Sequence, residues 1–461
     1  MLTEGHPAAN ETDTFFDSAV AHSAIRSNAV RSNFVRSNAV RSSAVSAPDL
    51  QVRHGRLQAR RPAGVMFRIV LAVVAVLAVS STSVAAIAVA QTLGRAQPGI
   101  QLQTATGENA PAVAIGAAEG SVNLLLVGTD TRTDQGAGFE DSANQIASSG
   151  VGNNDVTILL HISADHKSAA VISFPRDLVG PVPACPDPKG SGTIDATDAA
   201  IFNSTLSRGG ISCTVLTVEA LTGLTIPYAA EISFSGVSAM STAVGGVTVC
   251  LASPVVDSYT GLDLQAGNQN LIGDEALAFV RTRHGVADGS DLGRISNQQV
   301  FLSALMRKVT SAGVLANPVT LYQLANAALA NMKMSTSLNN ANSMVSIALA
   351  LKDVDLKQLV FVQYPVVADP DDPNRVVADK TAAEVLNAAL VNNQPISLTG
   401  GTGEAATSDP NATPTDTAVP TNTAVPTDGA TTAPAPTSTD VALPSNVTGQ
   451  TAADETCTVG N

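Results

Sequence analysis

Residues 123–132 read NLLLVGTDTR and residues 153–162 read NNDVTILLHI, an apolar run that ends in Gly-Thr-Asp and a second that begins on a carboxylate. Short, continuous apolar runs of this kind mark strands covered on both faces. Runs at Val122 to Val127, Thr157 to Ile162, Ala169 to Phe174, Val247 to Leu251 and Leu359 to Val362 read as strands. Ala/Leu-rich stretches near 213–222, 294–311, 317–330, 340–351 and 380–391 read as helices. The alternation predicts an α/β body over residues 115–397.

Outside that body the composition changes. The 461-residue chain carries 25 Lys+Arg against 39 Asp+Glu, a formal charge of −14. Nucleic acid is not the partner this charge balance favours, because the acidic body offers no basic field to displace counterions from phosphates. Residues 1–68 hold nine Arg and five acids, while residues 381–461 hold eight acids and no Lys or Arg. The remaining segment, 69–380, is net −10. Aromatics are 3% and Trp is absent, so the core must rest on Ala, Val, Leu and Ile.

Residues 69–90 carry no charge. At about 1.5 Å per residue such a helix covers roughly 30 Å of hydrocarbon and reads as a transmembrane helix. Arg53, Arg56, Arg60, Arg61 and Arg68 precede it and Arg95 follows, which places the N-terminus in the cytoplasm and the body outside the cell. A cleaved signal at the Ala88-Val89-Ala90 site competes with this reading, although a 68-residue leader is too long for one. Residues 1–68, with their recurrent RSNAV pentapeptide, read as a disordered cytoplasmic tail, and 91–114 as a linker. The Thr/Pro/Ala-rich stretch 398–461 reads as a disordered, extended spacer. Cys185, Cys213, Cys250 and Cys457 suit an oxidising exterior and allow three pairings, with Cys185–Cys213 preferred.

Candidate chemistry clusters at strand ends. Asp130 and Arg132 follow the first strand; Asp155 opens the second; Arg176 and Asp177 follow the third in VISFPRD. The segment ALAFVRTRHGVADGSDLGRISNQQ adds Arg281, Arg283, Asp291, Arg294 and Gln298. An i, i+2 spacing in extended chain would put the guanidiniums of Arg281 and Arg283 on one side, suited to a phosphate. Arg294 and Gln298 share a helix face by their i, i+4 spacing. Asp130 and Asp155 offer the hard oxygens that a magnesium ion takes beside phosphate. The plainer alternative is an Asp bonding its own turn and a surface salt bridge worth under about 1 kcal/mol.

The succession LLLVGTDTR, NDVTILLHI, VISFPRD, GGVTVCL, LIGDEALAFVRTRHG and SDLGRISNQQ closely resembles the LytR-CpsA-Psr family of membrane-anchored cell-wall enzymes. The resemblance implies a three-layer α/β/α body with a mixed central sheet, preceded by one transmembrane helix, and a greasy pocket for a polyprenyl chain. It implies an Mg-dependent phosphotransferase that moves a glycopolymer from a polyprenyl-pyrophosphate carrier to peptidoglycan. On this resemblance Asp130 and Asp155 look like the magnesium ligands. Arg176, Arg281, Arg283, Arg294 and Gln298 look like the pyrophosphate clamp, Arg132 like a further substrate contact, and Arg176, Arg281, Arg283 and Asp155 like the catalytic set. This sequence departs from the family pattern at Asn153, where Arg is usual, at Asp195, where Asn is common, and at Asn297, where a basic residue is frequent. A lipid-carrier pyrophosphatase and a non-catalytic wall-binding regulatory anchor stand as alternatives.

Overall fold

In the computed structural model, Val122–Thr129 (β1), Asn154–Ile162 (β2) and Ala169–Phe174 (β3) form an antiparallel meander with Val122 opposite Ile162 and Thr157 opposite Phe174. The structure describes residues 98–103, 118–133, 148, 150–188, 190, 192–311, 318–410, 412 and 440–461. Helix α1 (Ser204–Thr222) crosses over and returns the chain as β4 (Tyr228–Ile232), parallel to β1. There follow α2 (Phe234–Ala243), β5 (Val247–Leu251), β6 (Gly267–Leu271), α3 (Asp274–Arg281), α4 (Asp291–Ser311) and α5 (Pro318–Asn331). Then come β7 (Met332–Met334), α6 (Ala341–Lys352), β8 (Leu359–Gln363), α7 (Lys380–Val391), β9 (Ala406–Ser408), β10 (Gly449–Thr451) and β11 (Thr456–Thr458).

The central sheet has seven strands in the order β7-β4-β1-β2-β3-β8-β10, with parallel and antiparallel pairs mixed. Helices cover both faces. On one, Leu125, Leu159 and Ile172 meet Val215 and Val218 of α1 and Leu386 and Leu390 of α7. On the other, Ile158, Val171 and Phe361 meet Leu329 of α5, Ile347 of α6 and Leu302 of α4. Each such side chain withdrawn from water contributes roughly 1.5–3 kcal/mol, which is why continuous apolar runs became interior strands. The five expected strands all form, extended at β1 and β2 by polar residues at the ends where the two strands meet.

The expected helix near 213 begins nine residues earlier, because a kink at Gly209 and Gly210 joins two helical pieces. A Cβ at Gly209 would stand 2.7 Å from that of Cys213 and 2.8 Å from that of Cys185, so only glycine admits the Cys185–Cys213 disulfide here. The other cysteines pair as Cys250–Cys457.

The C-terminal stretch corrects the sequence reading. Residues 398–461 were expected as a disordered spacer, yet 440–461 return to the body. β10 pairs with β8 at the edge of the central sheet, and β11 lies parallel to β5 and antiparallel to β9 in a second sheet ordered β6-β5-β11-β9. At Gly449 a side chain would collide with the Phe361 carbonyl, so this edge closes only over glycine. The folded body therefore extends past 397.

No helix among the described residues is long and apolar enough to cross a membrane. The expected tail 1–68 and span 69–90 lie outside the described residues. Within the expected linker, Ile100 docks beside the end of β7, donating to Met334 O and accepting from Thr336 N.

Candidate active site

The sequence clusters meet where β2 begins, β3 ends and α4 starts. Asp155 on β2 receives Arg176 at 2.8 Å and faces Arg294 at 3.8 Å. Arg294 also donates to the Asp155 main-chain oxygen at 2.6 Å. Burial alone would raise the Asp155 pKa, but Arg294 and Arg176 outweigh it and hold the carboxyl below its ordinary value. Arg176 follows Pro175 just past the end of β3, and its backbone N–H donates to Asp291 at 3.1 Å.

Asp291 is the hub of the cluster. It opens α4, where the helix dipole favours an anion, and is only 9% exposed. Its carboxylate receives Arg294 at 2.6 Å and faces Arg283 at 3.6 Å and Arg176 at 4.0 Å. Removing such a buried partner from its cations typically costs about 3–5 kcal/mol. Asp177 binds Arg375 and lies 3.5 Å from Arg176.

Arg281 and Arg283 do not lie on an extended segment, as the i, i+2 argument required. Arg281 is the last residue of α3, Thr282 leaves the helical region, and Arg283 sits in the following turn. The buried carboxylate of Asp257 fixes this break, accepting Thr282 Oγ1 at 2.6 Å and Arg283 N at 3.3 Å. Burial would raise the Asp257 pKa, but these bonds and the one from Tyr259 N keep it below its ordinary value. From α4, Gln298 donates to Val280 O at 2.8 Å and Asn297 to Phe279 O at 2.7 Å, satisfying carbonyls that the end of α3 leaves open. Gln298, expected in the pyrophosphate clamp, thus grips the helix that carries Arg281. Asn297 belongs to the same grip and is also held by Thr458 Oγ1 at 2.8 Å.

The guanidiniums crowd one another. The Arg281 guanidinium stands 3.9 Å over the Phe234 ring, and burial, then the charge of Arg132, pushes its pKa down. Burial, then Arg294 and Arg176, pushes Arg283 down to about 10. The buried Nε atoms of Arg176 and Arg294 have no hydrogen-bond acceptor among the described residues. Arg176 and Arg294 are held by carboxylates, whereas Arg281 and Arg283 are desolvated beside other cations, an arrangement an oxyanion relieves. At about 4 Å and an effective dielectric near 20 one such contact is worth roughly 4 kcal/mol before desolvation.

Asp130 lies across the β1–β2 end from Asp155. Its Oδ1 accepts Asn153 N at 2.6 Å and Ser148 Oγ at 2.8 Å, stitching the loop between the strands, while Oδ2 has a long contact, 3.5 Å, with Asn153 Nδ2. The plainer alternative, an Asp bonding its own turn, is not what forms: these contacts reach across the loop, and Thr129 Oγ1 accepts the local bond from Thr131 N at 3.2 Å. The donor chemistry also fits magnesium, which takes one or two carboxylates and fills its shell with phosphate oxygens and water. The triplet Cys250, Asp409 and Cys457 is close enough for a metal among the described residues, but its sulfurs are bonded to each other.

Asp291 stands in the sequence cluster with no role that the sequence assigns, and neither Asp257 nor Arg375 stands out there. An acid at the first turn of a predicted helix was the available signal for Asp291. Asp257 and Arg375 sit in short strand and loop segments with no local signature, and only folding brings them to the site.

The LytR_cpsA_psr family profile matches residues 77–394. The cell wall biosynthesis protein LcpA of Corynebacterium glutamicum is 29% identical over 339 residues, covering 69% of this chain and 64% of that protein. The polyisoprenyl-teichoic acid–peptidoglycan teichoic acid transferase TagT of Bacillus subtilis is 30% identical over 250 residues, covering 53% of this chain and 69% of that protein. The solved LytR-Csp2A-Psr enzyme from Actinomyces oris is 20% identical with a TM-score of 0.46, covering 64% of this chain and 96% of that one. The chain spans less than two thirds of the length of the first of these relatives. With the profile covering well over half of its residues, the chain belongs to the LytR-CpsA-Psr family.

Proposed function

We propose that the protein transfers a glycopolymer from a polyprenyl-pyrophosphate carrier to peptidoglycan, leaving a phosphodiester link in the cell wall. The observation that carries this reading is the convergence of Arg176, Arg281, Arg283 and Arg294 around Asp155 and Asp291, with Arg281 and Arg283 desolvated beside other guanidiniums that push their pKa values down. Family membership and the transfer for which TagT is named support the choice of donor and acceptor. A hydroxyl of the wall glycan attacks the sugar-proximal phosphorus. The bond from that phosphorus to the bridging oxygen breaks, polyprenyl phosphate leaves, and the hydroxyl proton ends on it.

The arginines neutralise the phosphate oxygens as charge spreads over them, which is the main requirement of phosphoryl transfer. Asp155, kept ionised by Arg294 and Arg176, orients the guanidiniums and is a weak proton acceptor. When bound, magnesium held by Asp130 and Asp155 would add Lewis-acid neutralisation of the diphosphate. Anchoring by residues 69–90, with the body outside the cell, would hold the enzyme at the surface where its donor resides.

Purified protein supplied with lipid-linked donor and glycan acceptor should yield the joined product. The pair Arg281→Ala, Arg283→Ala should lower kcat/KM by at least about 100-fold, equivalent to roughly 3 kcal/mol. Product that never contains acceptor would instead identify a lipid-carrier pyrophosphatase. Equal turnover by the double variant would remove the arginines from the mechanism, and no turnover by either protein would leave a wall-binding anchor.

A further inference from the structure

Tyr259 is 81% exposed in a chain with four tyrosines and no Trp. Its ring stacks on that of His284, also exposed, with centroids 4.3 Å apart and planes 28° apart. The two rings come from different segments. Tyr259 lies in the hairpin between Val255–Asp257 and Leu262–Leu264, and His284 follows Arg283 directly in the turn after α3. One buried carboxylate mounts both, because Asp257, 2% exposed, accepts Tyr259 N at 2.9 Å and also Thr282 Oγ1 and Arg283 N. Val256, 58% exposed, adds apolar surface beside it.

A single exposed aliphatic side chain needs no explanation. Here an aromatic face is held by a second ring and by a buried charge, on the same backbone that presents Arg283. An aromatic face carries a negative quadrupole and a broad apolar area. The C–H face of a pyranose ring complements both, while its hydroxyl rim remains in water. A phosphate bonded to that sugar carries the charge that the adjacent arginines take.

We propose that Tyr259 and His284 form a pyranose-binding platform beside the arginine cluster, holding a sugar ring of the carrier-linked glycan or of the acceptor glycan. The placement of the sugar rests on the transfer reading above. Binding of three probes to the full chain tests it: chitotetraose as an acceptor-like glycan, farnesyl-pyrophosphoryl N-acetylglucosamine as a donor-like one, and inorganic pyrophosphate. Tyr259→Ala should weaken at least one sugar probe by about tenfold, Tyr259→Trp should retain it, and inorganic pyrophosphate should bind all three proteins alike. Loss confined to chitotetraose assigns the platform to the acceptor, and loss confined to the farnesyl probe assigns it to the donor. Unchanged affinity of Tyr259→Ala for both sugars overturns the platform, as does an equal loss for inorganic pyrophosphate. Should wild type bind neither pyrophosphate probe, the arginine site fails while the chitotetraose comparison still decides the platform.

Discussion

The meander β1–β3 and the C-terminal segment 440–461 reach the central sheet by different routes. In the meander, consecutive apolar strands pair with their neighbours in sequence, and Leu125, Leu159 and Ile172 are fully buried. The C-terminal strands are short, two residues at Val441–Ala442 and three each in the mostly polar β10 (Gly-Gln-Thr) and β11 (Thr-Cys-Thr), with Leu443, Val447 and Ala452 as the buried apolar residues between them. Their hold comes from distant partners. Cys457 bonds Cys250, Ser303 donates to Thr451 O at 3.4 Å, and Arg307 donates to Ala452 O at 3.1 Å and Asp454 O at 2.7 Å. At its far end the segment touches the arginine turn itself, since Val286 bridges Gly460 and Asn461 N donates to Gly285 O at 3.0 Å. One region stands on the apolar burial of consecutive strands, and the other adds to a few buried apolar residues, Leu443, Val447 and Ala452, links that exist only once the rest has folded.

The largest way to break this contrast is at the disulfide. It closes a sequence separation of 207 residues, for which loop-closure entropy sets a ceiling near 5 kcal/mol and native examples give about 2–5. Cys250→Ser with Cys457→Ser should therefore destabilise by that range in denaturant titration. Hydrogen exchange should rise first in residues 440–461 and leave the meander protected; uniform loss of protection across both regions would end the distinction.

A pH titration sharpens it from the meander side. His161 on β2 is 4% exposed, meets Asn123 Oδ1 through Nδ1 at 2.7 Å, and is pushed by burial from 6.5 to about 4. The unfolded chain takes up a proton on this ring as pH falls through 6.5, whereas the folded chain keeps it neutral until about 4. Its contribution is thus whole above pH 6.5 and declines between 6.5 and 4, by about 3 kcal/mol across the window. His161→Gln should flatten that part of the stability profile; a slope unchanged by the substitution would place its origin elsewhere.

The smallest effect is expected at Thr458→Val, which removes the hydroxyl that holds Asn297. A stability loss of about 1–2 kcal/mol is expected, because the buried Asn297 oxygen loses its donor. Since Asn297 also grips α3 through Phe279 O, inorganic pyrophosphate should bind more weakly to this variant by a few-fold. Retention of affinity would confine the C-terminal segment to a stability role.

The five strands and five helices expected from apolar runs were legible because each carries its own pattern, whereas β4, β7, α2 and α3 were not foreseen; Asp155, Arg176, Arg281, Arg283 and Arg294, which the fold brings together, stood out by their position at element ends. The extended geometry imagined for Arg281 and Arg283 was not, since DEALAFVR supports a helix and a strand alike until Asp257 ends it at Thr282. Gln298 was placed on the correct helix face, but which neighbour that face meets is a tertiary fact.

The order of apolar and polar residues by itself determined an α/β body and the identity of the charged groups at its strand ends, because burial of continuous apolar runs is a local property of the chain. Folding alone decided that Asp291 gathers three arginines, that Asp257 mounts both Arg283 and Tyr259, and that a polar C-terminal segment closes the sheet. Those outcomes depend on hydrogen bonds, ion pairs and a disulfide between residues far apart in sequence, and no local pattern encodes who the partner will be.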